Sequence, residues 1–97
     1  MVIELPADID AANATQLREQ LLTLITDGGA ATVIADMTQT SFCDSAGMTA
    51  LIAAHRKATA QGSVVKVVAA AAQVLRIFEL TGFDQVVDVL PSLDLVD

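Results

Sequence analysis

Apolar and polar positions along the chain alternate between two rhythms. Met1 to Leu5 is a short apolar, β-branched run halted by Pro6, which predicts a strand. Ala14, Leu17, Leu21, Leu24 and Ile25 recur at three- and four-residue spacing, one face of an amphipathic helix. Asn13 with Gln16 three residues on resembles a capping box at its start, and Gly28-Gly29 closes it. Thr32 to Met37 reads as a buried strand, followed by a polar loop from Thr38 to Ser41. Asp44 and Ser45 suit a helix start; Met48, Leu51, Ile52 and His55 share a helical face, and Gly62 ends that helix. Val64 to Val68 predicts a strand, Ala71 to Thr81 a third helix stopped by Gly82, and Val86 to Val89 a last strand. Pro91 to Asp97 is expected to form a final helical turn or fray.

Strands alternate with helices, so the expected fold is α/β: four mainly parallel strands joined by right-handed helical crossovers. A length of 97 residues allows one domain, residues 1–97, and neither an internal repeat nor a long linker divides it. The composition is 54% hydrophobic but only 3% aromatic, which suits close packing of small aliphatic side chains between helix and sheet.

The formal charge of −7 changes the choice of partners. It removes the main attraction to phosphate backbones and to anionic lipid, so nucleic-acid binding and membrane attachment are not expected. A protein partner with a basic face is the natural electrostatic complement. Charges and turn residues interrupt every apolar stretch, and the N-terminus lacks a signal-peptide pattern. Cys43, the single cysteine, rules out an internal disulfide and a cysteine-rich metal site and fits a reducing compartment. A cytoplasmic location is therefore expected.

The segment Phe42-Cys43-Asp44-Ser45-Ala46-Gly47-Met48 is the chemically informative one. It crosses into a helix N-terminus, where unpaired N–H groups and the helix dipole tolerate negative charge. Two readings of Ser45 follow: a simple helix cap, or a side chain that carries a phosphate. Gly47 is either a packing concession or a gap through which another chain approaches. Cys43-x-Ser45-x-Gly47 lacks one glycine of a nucleophile elbow, and the single histidine, His55, lies roughly 15 Å along the same helix. No base adjoins Ser45, so catalysis is not expected. Cys43 reads as a small buried residue, disfavoured as a thiolate beside Asp44. Asp8, Asp10, Asp36 and Asp44 are ordinary capping groups or a convergent set at the carboxyl end of the sheet. No metal site or cofactor is implied.

Ser41 to Met48, Leu5-Pro6-Ala7-Asp8-Ile9-Asp10 and Val74 to Phe83 together resemble the STAS domains of anti-sigma factor antagonists. The Asp-Ser-x-Gly signature falls on Asp44, Ser45, Ala46 and Gly47, and the family's turn aspartate on Asp10. Ala7 stands where the family has glycine, and its usual extra N-terminal strand finds no room before Met1, which would leave the first strand as a sheet edge. The resemblance implies a non-catalytic switch. An anti-sigma factor with serine kinase activity phosphorylates Ser45, a phosphatase reverses this, and the unmodified protein releases a sigma factor. The expected partner surface comprises Asp10, Asp44, Ser45, Ala46, Gly47, Met48, Thr49 and Ala53, with Ala50 and Ala54 smoothing the helix flank. A monomer or weak dimer is expected. The alternative within the family is a non-catalytic subunit of a transporter ATPase or a scaffolding complex.

Overall fold

The computed structural model describes residues 1–96; Asp97, expected to belong to the last turn or frayed end, lies outside them. In chain order the elements are β1 (Val2–Glu4), β2 (Asp8–Ile9), α1 (Ala14–Gly28), β3 (Thr32–Met37), β4 (Phe42–Cys43), α2 (Ser45–Ala60), β5 (Val64–Ala69), α3 (Ala72–Thr81) and β6 (Asp88–Leu90). Two 3-10 turns, Phe83–Gln85 and Leu93–Leu95, flank β6.

The main sheet has the order β1-β3-β5-β6, and every neighbouring pair is parallel. Each strand joins the next position in one direction across the sheet. Successive right-handed crossovers then place their helices on the same face. Burial follows that geometry. Along β3, Val33, Ala35 and Met37 are buried, while Thr32, Ile34 and Asp36 on the opposite face are half-buried. Val65, Val67 and Ala69 continue the inner face on β5. Leu17, Leu21 and Ile25 of α1, Leu51, Ala54 and Ala58 of α2, and Val74 and Phe78 of α3 close over it in one core. Phe78 and Phe83 stack with ring centroids 4.3 Å apart. β1 is an edge strand paired only with β3 in the main sheet.

Three features depart from the sequence-based expectation. First, β2 and β4 form a second, two-stranded parallel sheet, pairing Asp8 with Phe42 and Ile9 with Cys43. These pairs are too short for any periodicity to register. Thr40, the buried polar residue between them, donates its hydroxyl to the Pro6 carbonyl at 2.8 Å and ties the two connections together. Second, the last strand is Asp88–Leu90, later than expected, because the Phe83–Gln85 turn consumes the preceding residues and buries Val87. Third, Asn13 precedes α1 without capping it. Its amide instead accepts from the Asp10 N–H at 3.0 Å and donates to the Asp8 carbonyl at 2.8 Å, bracing the turn before the helix.

Candidate partner-binding site

The β2–β4 pair sets the start of α2. Backbone pairing holds Ile9 beside Cys43, and the Asp44 N–H donates to the Ile9 carbonyl at 3.1 Å. Asp10 and Asp44 therefore follow directly from two laterally bonded strands. Asp44 is the cap of α2: its Oδ1 accepts from the N–H groups of Ala46 at 3.0 Å and Gly47 at 3.2 Å. Ser45, the first helical residue, is exposed. The reading of Ser45 as a cap is thus corrected, because the neighbouring carboxylate already satisfies those orphan donors. The Gln73 side-chain amide of α3 donates to the Ser41 carbonyl, tethering the loop that leads into the site.

The remaining residues of the expected surface divide by orientation. Thr49 is exposed and donates its hydroxyl to the Ser45 carbonyl at 2.9 Å. Asp10, Asp44, Ala46 and Ala53 are half-buried. Met48 is buried, and the Thr81 hydroxyl meets its sulfur at 3.5 Å. Gly47 is buried, and a Cβ there would stand 2.6 Å from Ile9 Cγ2 and 2.7 Å from Cys43 Sγ. Of the two readings of Gly47, this crowding supports the packing concession. Ala50 and Ala54 are likewise core residues rather than a smooth outer flank. A shallow hollow of about 300 Å3 opens beside Ser45, lined by Met48, Thr49, Ile52, Thr81 and Val86 among others.

The carboxylates serve the backbone locally. Asp10 Oδ1 accepts from the Ala12 N–H at 2.9 Å, and Asp36 Oδ1 accepts from the Thr38 N–H and hydroxyl at 2.9 and 2.7 Å. Among the described residues, no group of three or more His, Cys, Asp or Glu stands close enough to hold a metal ion. Cys43 is fully buried, and burial, with Asp44 beside it, pushes its thiol up to about 11. At neutral pH it is a protonated packing group. His55 is half-buried, with Nδ1 enclosed and unpartnered among the described residues. No described helix is long and apolar enough to cross a membrane.

The order of these pieces, a short parallel pair feeding an Asp-capped helix on a four-stranded sheet, extends over the whole chain. The family model for the STAS domain matches residues 1–96. The chain belongs to the STAS family. Its fold is shared with an anti-sigma factor antagonist from Mycobacterium paratuberculosis, at 26% identity and a TM-score of 0.84, covering 96% of this chain and 78% of that one. The Bacillus cell fate determinant SpoIIAA in its phosphorylated form is similar at 22% identity and a TM-score of 0.69, covering 96% and 84%. A sulfate transporter family protein from Wolinella succinogenes is similar at 17% identity and a TM-score of 0.81, covering 96% and 77%. The STAS fold thus spans both antagonists and transporter-family proteins.

Sequence reasoning missed the residues that build the site from outside α2. Ile9 and Cys43 crowd Gly47, and Thr81 and Val86 wall the hollow beside Ser45. For the first pair the signal was slight: Ile9 is a single apolar residue between Asp8 and Asp10, and Cys43 precedes Asp44. The second pair carried none, since the end of α3 and the turn after it meet α2 only in three dimensions.

Proposed function

We propose that this STAS protein is an anti-sigma factor antagonist, controlled by phosphorylation of Ser45 by a partner anti-sigma kinase. The observation that carries the reading is the division of labour at the helix start. Asp44 caps α2, so Ser45 is exposed and has no structural duty there. A phosphate at this first helical position gains about 0.3–1 kcal/mol from the helix dipole, which offsets much of the repulsion from Asp44 across water. Folding then changes little. Binding changes more, because an interface desolvates a charge of about −1.5 to −2 that lacks a matching cation. Such a charge costs several kcal/mol, and each 1.4 kcal/mol is about tenfold in affinity. The reading assigns the protein no catalysis of its own and places it in the cytoplasm, with a phosphatase to reset it.

The test is calorimetric titration of wild type, Ser45→Ala and Ser45→Asp with the GHKL-type anti-sigma kinases of the source organism. Wild type and Ser45→Ala are expected to bind one of them alike, with Ser45→Asp at least about tenfold weaker. Mass spectrometry after incubation with ATP is expected to place the phosphate on Ser45 and to find none in Ser45→Ala. Equal affinity of wild type and Ser45→Asp for an active kinase overturns the switch in favour of a non-catalytic subunit role.

A further inference from the structure

The outward stripe of α2 begins at Ser45 and continues through Thr49, Ile52 and Ala53 to Arg56, at steps of three and four residues. Ser45, Thr49 and Arg56 are exposed, and Ile52 and Ala53 are half-buried. Its far end opens into a hollow of about 530 Å3 lined by Arg18 of α1 together with Thr49, Ile52, Ala53 and Arg56. Two arginines border it, with Ile52 and Ala53 as its apolar lining residues.

That pairing stands against the charge of the molecule. The chain has 12 acidic and only 5 Lys or Arg residues, yet among the described residues no acidic one lines this hollow. Arg18 also borders the neighbouring hollow between α1 and α2, again without an acidic residue in its lining. Lys57, one position after Arg56, differs: it shares its hollow with Asp27. The two arginines therefore form a local positive site without an acidic neighbour in its walls among the described residues. Screening confines charge effects to roughly 8–10 Å at physiological salt, so at contact the local pair outweighs the distant net charge.

We infer that the Arg18–Arg56 end of the α2 stripe seats an acidic side chain of a protein partner, with an apolar residue of that partner on Ile52 and Ala53. A carboxylate matches the flat, forked donors of a guanidinium, and Ile52 and Ala53 offer an apolar contact beside them. The assignment rests on reading the Ser45 face as the partner surface and gives that surface its second end. Arg56 follows Ser45 by eleven residues, roughly 16 Å along the helix, beyond the reach of a guanidinium to a phosphate on Ser45. The anchor and the switch are then separate contributions, and their effects on affinity add.

The experiment has two arms. In the first, the intact chain is titrated, by NMR, with three synthetic amphipathic peptides sharing one leucine pattern and carrying Glu, Gln or Lys on the polar face. The Glu peptide is expected to shift the amides of Thr49, Ile52, Ala53 and Arg56 and to bind about tenfold more tightly than the Gln peptide. The double variant Arg18→Glu/Arg56→Glu is expected to lose that preference, and Arg76→Glu on α3 to keep it, with thermal melts confirming that both fold. Equal binding of the three peptides, or shifts elsewhere, overturns the anchor. In the second arm the kinase replaces the peptide. If Arg56→Glu weakens binding about tenfold while Ser45→Asp does not, the anchor stands and the phospho-switch falls. If Ser45→Asp weakens binding and Arg56→Glu does not, the anchor falls and the switch stands. If no kinase binds wild type, the switch reading fails and the peptide arm alone decides the anchor.

Discussion

At the scale of single residues, three positions at the start of α2 divide the work. Asp44 holds the helix end, Ser45 faces solvent, and Gly47 fits where a Cβ would strike Ile9 and Cys43. Both struck groups are fully buried, so neither yields cheaply. Gly47→Ala is expected to destabilise the protein by about 1–3 kcal/mol, read from urea denaturation at unchanged slope. Asp44→Ala removes a cap that serves two N–H groups and is expected to cost about 1 kcal/mol. Ser45→Asp, at a position where the helix dipole favours negative charge, is expected to melt close to wild type.

The elements place those residues. The stripe facing outward on α2 is one side chain away from the stripe packed on α1, so a substitution reports which face it occupies. Ala53 is half-buried near the outer stripe, whereas Ala50 is 2% exposed against the core. Ala53→Arg is expected to fold and to weaken binding to the anti-sigma kinase; Ala50→Arg is expected to unfold the domain, because a guanidinium enters the core unpaired. Circular dichroism with calorimetry separates the two outcomes. The β2–β4 pair depends in turn on Thr40, whose buried hydroxyl meets the Pro6 carbonyl. Thr40→Val is similar in shape but leaves that carbonyl without this donor, and is expected to lose about 1–3 kcal/mol in the same denaturation assay.

For the whole molecule, one core joins all three helices to one face of the sheet, and the pH dependence of its stability reports on a group within it. Cys43 is held as a thiol up to about 11, first by burial and then by Asp44. Between about 9 and 11 the unfolded chain has released this proton while the folded chain keeps it, so stability falls as pH rises through that window. The expected loss is on the order of 1–2 kcal/mol, and Cys43→Ala is expected to flatten that part of the profile. A wild-type profile as flat as that of the variant runs against a buried, protonated thiol.

Much of this protein was legible in one dimension. The spacing of Leu17, Leu21 and Ile25 determined α1, because a helix that must bury one face repeats every three to four residues. The apolar runs Thr32–Met37 and Val64–Val68 marked the two central strands, and their alternation with helices determined a parallel sheet. Asp44-Ser45-x-Gly47 marked the candidate site. The tertiary structure decided which way each of those residues faces. Ser45 and Gly47 are both small, and two positions apart a helix sets them on opposite sides; the packing of Ile9 and Cys43 beneath decides that Gly47 faces in and Ser45 out. The β2–β4 pair, the wall that the end of α3 and the following turn lend to the hollow beside Ser45, and the hollow shared by Arg18 and Arg56 all join residues distant in the chain. Local pattern carries the burial of an element's own face, whereas such long-range juxtapositions depend on how separate faces come together.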